Sequence, residues 1–248
     1  RSRRAGVVVP MGVALVLLAF ALAQVRDWEA RRLHGEFSRA GENIASIVKK
    51  RLDVQVDMML AIERLFATSE EVTREDFREF VSPWLVRYPG TQNFGWSPLV
   101  QGAARDAFEQ AVRDSGVAAF RILGRDASGE TFPAPMASEY LPLTYIEPLR
   151  GNERALGLNT LHLPATAEAI QRARASGQPS ASAAIRLVQE PASQAQNGVV
   201  VYLPVSARGR LGNEVGAALE LGVVSGVFRM DDSIATARAL ADDSNILL

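Results

Sequence analysis

Cysteine is absent from the 248 residues, and histidine occurs only twice, at His34 and His162. The lack of cysteine excludes disulfide bonds, thiolate metal sites and cysteine nucleophiles. The two histidines are far apart in the sequence, so they form none of the spacings that are typical of metal sites or catalytic triads. Glycine-rich phosphate-binding loops are also missing. The sequence therefore predicts neither a metal nor another cofactor.

Positive charge is not in excess, because 27 Lys and Arg residues are balanced by 28 Asp and Glu residues. Nucleic-acid binding needs a concentrated positive face, and basic residues cluster only at the N-terminus, so this partner class is excluded. Adjacent acids at residues 70–71, 75–76 and 242–243 would suit a periplasmic hydrolase. Such pairs more often interact with a helix dipole or with solvent, and we expect no enzymatic activity in this region.

Charged side chains are absent from residues 6–25, which are almost wholly apolar. A helix of this length rises about 30 Å, enough to cross the hydrocarbon core of a bilayer. Arg1, Arg3 and Arg4 precede the segment, and cytoplasmic flanks of membrane helices are enriched in positive charge. We therefore expect a cytoplasmic N-terminus at residues 1–5, a transmembrane helix at 6–25 and an external remainder. A cleaved signal peptide is the alternative.

Proline is absent between Val25 and Ser82, and residues 26–70 are predicted to form a long stalk helix. Apolar or small residues recur with alternating steps of four and three in a first register, which is a coiled-coil-like pattern, and a second register continues after a small phase slip near residues 49–51. The first register is Leu33, Phe37, Ala40, Ile44 and Ile47, and the second is Val48, Leu52, Val56, Met59, Ile62 and Phe66. The first half should form a homodimer, and the second half should pack on the following domain.

The remaining sequence alternates helical and strand-like patterns, which predicts the α+β class. Thr73 and Asp76 resemble a capping box for a helix that ends near Tyr88. Further helices are expected at 105–115, 164–176 and 226–241, and strands at 93–100, 120–123, 140–146, 185–188, 198–205 and 216–224.

Three ordered blocks of sequence resemble the CHASE domain. Residues 94–100 (FGWSPLV), with Arg105 and 108–109, resemble its opening, and residues 139–148 (EYLPLTYIEP), with Asn152, 155–157 and Asn159, resemble its central motif. Residues 185–190 and 200–205, with Gly177 and Ser182, resemble its closing strands. Several blocks in the family's order make a more specific signal than one short motif.

The resemblance implies an extracytoplasmic sensor upstream of a histidine kinase, diguanylate cyclase or adenylate cyclase. In the plant relatives that bind cytokinins, a long helix carries two PAS-like subdomains, and the membrane-distal one holds the adenine-type ligand. By that pattern, residues 71–205 are the membrane-distal ligand-sensing subdomain. Residues 206–248 begin the membrane-proximal subdomain, which is incomplete. The expected fold is thus a transmembrane helix and a stalk helix followed by tandem PAS-like antiparallel sheets.

The predicted ligand-binding residues lie in the central and closing blocks. A pocket against a sheet needs apolar lining with a few polar groups that fix orientation, and alternate strand positions share one face. The candidates are Tyr140, Thr144, Ile146, Glu147, Ser182, Ala184, Arg186 and Tyr202. For any single tyrosine, ordinary packing is the competing interpretation. By the resemblance, Glu147 is the acid nearest to an aspartate of the plant pocket, whose own position is taken by Pro148.

The leading hypothesis is a bacterial inner-membrane receptor with a periplasmic or extracellular globular part that binds a small molecule, for example an adenine-type or cytokinin-like compound. A generic dual-PAS-like sensor for another metabolite and a membrane-anchored interaction module are the alternatives, with the periplasmic hydrolase less favoured.

Overall fold

The computed structural model describes residues 24, 45–47, 49–50, 52–88, 90–126, 128–186, 197–207 and 219–229. The elements below belong to the compact unit Lys50–Thr236. The predicted transmembrane helix and the first half of the predicted stalk lie almost wholly outside the described residues, as does the predicted helix beyond Arg229. Within the described part of the chain, no helix is long and apolar enough to span a bilayer.

Four α-helices are described, and their ends follow local sequence signals. They are α1 (residues 52–68), α2 (Arg74–Arg87), α3 (Arg105–Asp114) and α4 (Pro164–Ser176). At the start of α2, the Asp76 amide donates to Thr73 Oγ1 at 3.2 Å and the Thr73 amide donates to Asp76 Oδ2 at 2.9 Å, which confirms the predicted capping box. Helix α4 has Pro164 in its first turn and ends at Gly177, whose φ of 66° is left-handed.

Ten strands of the described residues form one large sheet and two small ones. They are β1 (Thr91–Pro98), β2 (Val100–Gln101), β3 (Leu123–Arg125), β4 (Thr131–Pro133), β5 (Glu139–Tyr140), β6 (Tyr145–Glu147), β7 (Ser180–Ala181), β8 (Ile185–Arg186), β9 (Asn197–Ala207) and β10 (Leu219–Arg229). The large sheet is antiparallel in the order β6-β1-β10-β9-β7, and β8 also pairs with β9. The pairs β2–β5 and β3–β4 stand apart. The α+β class is confirmed.

Strand β10 corrects the predicted domain boundary. The sequence assigned residues 206–248 to a second subdomain and placed a helix at 226–241, but β10 lies between β1 and β9 at the centre of the first sheet. It continues through Gly226 to Arg229. The ring of Phe228 lies over Gly226, where an added methyl group would come within 2.7 Å of it. Gly226 is therefore a strand glycine beneath an aromatic ring, not the start of a helix.

The strand predicted at 140–146 is divided into β5 and β6. Between them, the amide of Leu141 donates to Asn159 Oδ1 at 2.9 Å and the amide of Leu143 donates to the Leu158 carbonyl at 2.9 Å. Pro142 has no amide hydrogen to contribute to a ladder. Residues 141–143 therefore bond to the 158–160 segment instead of continuing the sheet, and the Thr144 amide donates to the Trp96 carbonyl of β1 at 2.9 Å. The strand predicted at 120–123 is likewise displaced to Leu123–Arg125.

The two faces of the large sheet have different neighbours. One face packs against α1 and α2 through Phe94, Trp96, Leu203, Val205, Val224 and Phe228. Met58, Met59, Ile62 and Phe66 of α1 join this core, and the ring centroids of Phe66 and Trp96 are 4.0 Å apart. Helix α1 thus packs on this face of the sheet. The opposite face is covered by α4 and by Leu141 and Leu161.

Candidate ligand-binding site

The face beneath α4, which we call the covered face, brings three of the predicted residues together. The strand register places Ile146, Gly95, Ser225, Tyr202 and Ser180 in one row across five strands. Asn93, Val227 and Val200 form the adjacent row, and the Ser182 amide donates to the Val200 carbonyl at 2.8 Å. Directly paired residues of antiparallel strands project from the same face. Ile146, Ser182 and Tyr202 therefore share this face.

Tyr202 is the largest polar side chain of the covered face. It is 3% exposed, packs with Ile170 and Val223, and its hydroxyl is hydrogen-bonded to Thr166 of α4. Burial raises the pKa of its phenol to about 12, because the phenolate would lose hydration. Tyr202 is therefore a neutral hydrogen-bonding group that joins the sheet to its helical cover.

Ser182 is buried at the edge of the same face. Its Oγ accepts the Val200 amide at 3.1 Å and donates to the Ala183 carbonyl at 2.7 Å. The side chain thus continues the pairing with β9 beyond the end of β7. A bulky residue at this position would lie against Val200, in the row next to Tyr202.

Polar residues of β1 and β10 complete the face, and the sequence analysis missed them. Asn93, Ser97 and Ser225 are buried, and Ser97 Oγ has no hydrogen-bond partner in the part of the chain that the structure describes. Asn93 Nδ2 donates to Asn152 Oδ1 at 3.4 Å. The sequence pattern could have identified this face of β1. Asn93, Gly95 and Ser97 alternate with Phe94 and Trp96, so they lie on the face opposite the two aromatic residues.

The centre of the covered face is formed by small residues. A methyl group at Gly95 would come within 2.6 Å of Leu143 Cδ1 and 2.7 Å of Ser225 Oγ. Leu143 therefore occupies the space that a side chain at position 95 would need. Because Leu143 belongs to the segment between β5 and β6, a shift of that segment would open the sheet beside Ser97, Ser225 and Tyr202.

Tyr140 lies in a different core from Ile146 and Tyr202. It is fully buried with Val112, Phe120 and Ile122, and its hydroxyl donates to the Pro135 carbonyl at 3.0 Å. The same hydroxyl accepts the Ala137 amide at 2.8 Å. Because the predicted strand at 140–146 is interrupted between Tyr140 and Tyr145, Tyr140 and Ile146 do not share one strand face.

Thr144 and Glu147 also lie away from the covered face. Thr144 Oγ1 donates to the Pro142 carbonyl at 3.0 Å, and its own carbonyl accepts from Arg74 of α2 at 3.0 Å. Glu147 is paired with Phe94 in the register and shares the α2 side of the sheet. Burial raises the pKa of Glu147, against opposing effects of the Leu149 amide and of the charges on Arg78 and Arg74.

The last two candidates lie near β8. Ala184 is exposed, and Arg186 pairs through its backbone with Asn197 of β9. The side chain of Arg186 lies outside the described part of the structure. Within that part, no cluster of three or more potential metal ligands occurs.

The site is therefore a covered, largely neutral sheet face, and the family comparison agrees with the sequence blocks. A family model described as the CHASE domain matches residues 70–247. The chain belongs to the CHASE domain family. The CHASE match includes β10, in agreement with its place in the sheet. No curated protein matches the chain at a significant level. CHASE domains are extracellular sensor domains of signalling receptors that bind small-molecule ligands, and they are sensory rather than catalytic.

Proposed function

We propose that the chain is the ligand-sensing region of a bacterial transmembrane receptor, with its globular part in the periplasm or outside the cell. Family membership supports the sensory role. The uncharged segment 6–25 and the preceding arginines support an anchor in the inner membrane. The output domain of the receptor is a histidine kinase or a diguanylate or adenylate cyclase.

The described unit is proposed to be the membrane-distal PAS-like subdomain, extended to include β10. Its first and last strands, β1 and β10, pair at the centre of an antiparallel sheet, which supports this interpretation. Helix α1 packs on one face of the sheet and α4 packs on the other, and the two faces are proposed to have different roles. The covered face holds the ligand, and α1 connects the sheet to the stalk.

The ligand is proposed to lie on the covered face, between Ile146, Ser182 and Tyr202, after Leu143 has moved. The observation that carries this proposal is the set of small and neutral polar residues on this face, where Ser97 Oγ lacks a partner among the described residues. Neutral donors and acceptors beside apolar walls suit an uncharged heterocycle. An adenine-type or cytokinin-like compound is the first candidate. Tyr140, Thr144 and Glu147 then lie away from the ligand, and Ala184 and Arg186 lie at the β8 edge.

Signal transmission is proposed to depend on a dimer formed through the stalk. A ligand can shift an equilibrium between two dimer arrangements only by binding one of them more tightly. Because α1 packs on the sheet through Met59, Ile62 and Phe66, a change in the sheet would act on the stalk directly. Ligand binding would therefore change the packing of the stalk helices in the dimer.

The test is calorimetry of the full chain, purified in detergent, with adenine derivatives and a panel of other small metabolites. Ser182→Phe should abolish binding because the ring would fill the row beside Val200. Ala183→Phe is the matched control, since Ala183 is the exposed neighbour and the change in volume is larger still. Circular dichroism should show both variants folded.

Unchanged affinity in Ser182→Phe would reject the covered face as the site. If a metabolite of another class binds at the same face, the sensory function is supported and the proposal of an adenine-type ligand is rejected. If no compound binds while a partner protein does, the chain is an interaction module instead.

A further inference from the structure

A second site is indicated by an open cleft beside strand β3. The cleft has a volume of about 580 Å³ and lies between the 117–121 segment, the β3–β4 hairpin and the turn at 153–156. Its walls combine apolar side chains with three arginines. The residues that matter are Val117, Leu123 and Leu156 on the apolar side, and Arg121, Arg125 and Arg154 on the charged side.

The strand period explains why two arginines face the cleft. Arg121, Leu123 and Arg125 occupy alternate positions and line the cleft together. Between them, Ile122 is fully buried, and a side chain at Gly124 would meet Phe132. The amide of Leu123 donates to the Gly157 carbonyl at 2.8 Å, which brings the turn with Arg154 alongside β3.

These arginines have no carboxylate partner within the described residues, unlike Arg105, Arg172 and Arg174, which form ion pairs. Arg125 Nε is buried without an acceptor among the described residues, and Arg125 Nη2 makes a long contact of 3.4 Å to the Arg154 carbonyl. Burial and the charge of Arg154 lower the pKa of Arg125. Arg125 is half-buried and Arg121 and Arg154 are exposed. A buried guanidinium nitrogen without an acceptor is costly, so an arrangement of this kind suits an external anion.

The two acids of the cleft, Glu130 and Glu153, form no ion pair with these arginines in the described part of the chain. Glu153 Oε2 accepts the Gly151 amide at 2.9 Å within its own turn, and backbone hydrogen bonds lower the pKa of that carboxyl. Glu130 is exposed and forms no ion pair with the three arginines in the described part of the chain. An anion that enters the cleft would therefore meet unpaired guanidinium groups.

We propose that this cleft binds a small organic anion whose carboxylate or phosphate group contacts Arg125, with Arg121 and Arg154 alongside. Guanidinium groups match both anions through paired N–H donors. The apolar body of the ligand packs against Val117, Leu123 and Leu156. The site is separate from the covered face and does not depend on the function proposed for that face.

Calorimetry of the full chain in detergent tests the site with benzoate and phenyl phosphate, and with benzyl alcohol as the neutral analogue. At least one anion should bind and the alcohol should not, and the comparison of the two anions identifies the preferred head group. Arg125→Met should weaken anion binding about ten-fold or more, because a charge-assisted hydrogen bond is lost. Arg172→Met, which removes a surface arginine of α4 outside the cleft, should bind as the wild type does.

Thermal unfolding distinguishes an arginine that binds an anion from one that stabilises the fold, because only loss of the second should lower the unfolding temperature. Since Arg125 forms no ion pair with any described residue, Arg125→Met should unfold at the wild-type temperature or above it. The anion should raise the unfolding temperature of the wild type but not that of Arg125→Met. Failure of both anions to bind, wild-type affinity in Arg125→Met, or a lower unfolding temperature for this variant would each overturn the proposal.

Discussion

At the residue scale, the buried hydroxyl of Tyr202 ties the sheet to α4 through Thr166. Tyr202→Phe should lower the free energy of unfolding by about 1 kcal/mol at pH 7, because a buried hydrogen bond is lost.

The stabilisation by Tyr202 should also depend on pH. Since the folded-state pKa of about 12 exceeds the usual value near 10, the phenol stabilises the fold below pH 10 and loses that contribution as the pH rises towards 12. Urea unfolding at pH 7 and at higher pH should show the difference between wild type and variant shrinking. Tyr88→Phe is the control, and a constant difference for Tyr202→Phe would contradict the argument.

Glu109 holds α3 to the segment before β3. Its carboxylate accepts from Arg105 Nε at 3.0 Å and from the Ile122 amide at 3.0 Å, and Arg113 lies at 3.5 Å. Burial tends to raise the pKa of this carboxyl, but the Ile122 amide and Arg105 together lower it. We therefore expect Glu109→Gln to lower the free energy of unfolding by roughly 2–3 kcal/mol at pH 7.

The pH dependence of this effect follows from the lowered pKa. The stabilisation by Glu109 is present above the unfolded-state pKa near 4.5 and is lost as the pH falls through the folded-state value. Denaturant unfolding at pH 7 and pH 3 should show wild type losing more stability than Glu109→Gln. Glu79→Gln, at an exposed position of α2, should be nearly neutral at both pH values. Equal acid sensitivity in wild type and Glu109→Gln would refute the role.

Individual residues of the candidate site were predictable only where a strand was correctly placed. Ser182 and Tyr202 were found because the closing strands were recognised and their alternation was followed. Ser225 was missed because β10 was assigned to another subdomain. Tyr140 was grouped with Ile146 because the bonds of residues 141–143 to the 158–160 segment are long-range, and no local pattern reveals them.

At the element scale, the start of α2 offers a direct test of local stabilisation. Thr73→Ala removes the side-chain oxygen that accepts the Asp76 amide, and we expect a loss of about 1 kcal/mol in the free energy of unfolding. Thr73→Ser retains the hydroxyl and should restore most of the stability. Denaturant titration followed by circular dichroism measures both variants. An alanine variant as stable as wild type would show that packing of Phe77 and Val81 alone holds the helix.

Elements with local end signals were predicted well, and elements fixed by long-range pairing were not. Helix α4 matches its predicted bounds because Pro164 and Gly177 mark both ends by backbone geometry. Strand β10 was read as a shorter strand followed by a helix because Gly226 resembles a break. Only the rings of Phe94 and Phe228, brought together by the sheet, show that Gly226 must remain extended.

At the scale of the whole molecule, β10 determines where the domain ends. It makes two long ladders, with β1 and with β9, and its Val223, Val224 and Phe228 are buried in the cores on the two faces of the sheet. A fragment that ends at residue 205 would leave the facing edges of β1 and β9 unpaired and both cores exposed. Such a fragment should not fold.

The decisive comparison is between fragments 50–205 and 50–236, the second of which matches the compact unit. Fragment 50–236 should unfold cooperatively with denaturant and protect the β1 amides from hydrogen exchange, because β10 supplies their partners. Fragment 50–205 should show neither property. Val224→Asp in fragment 50–236 should reproduce the defect by placing an unpaired charge in the core beside Phe94 and Trp96. If fragment 50–205 folds cooperatively, β10 is dispensable and the original boundary at residue 205 is restored.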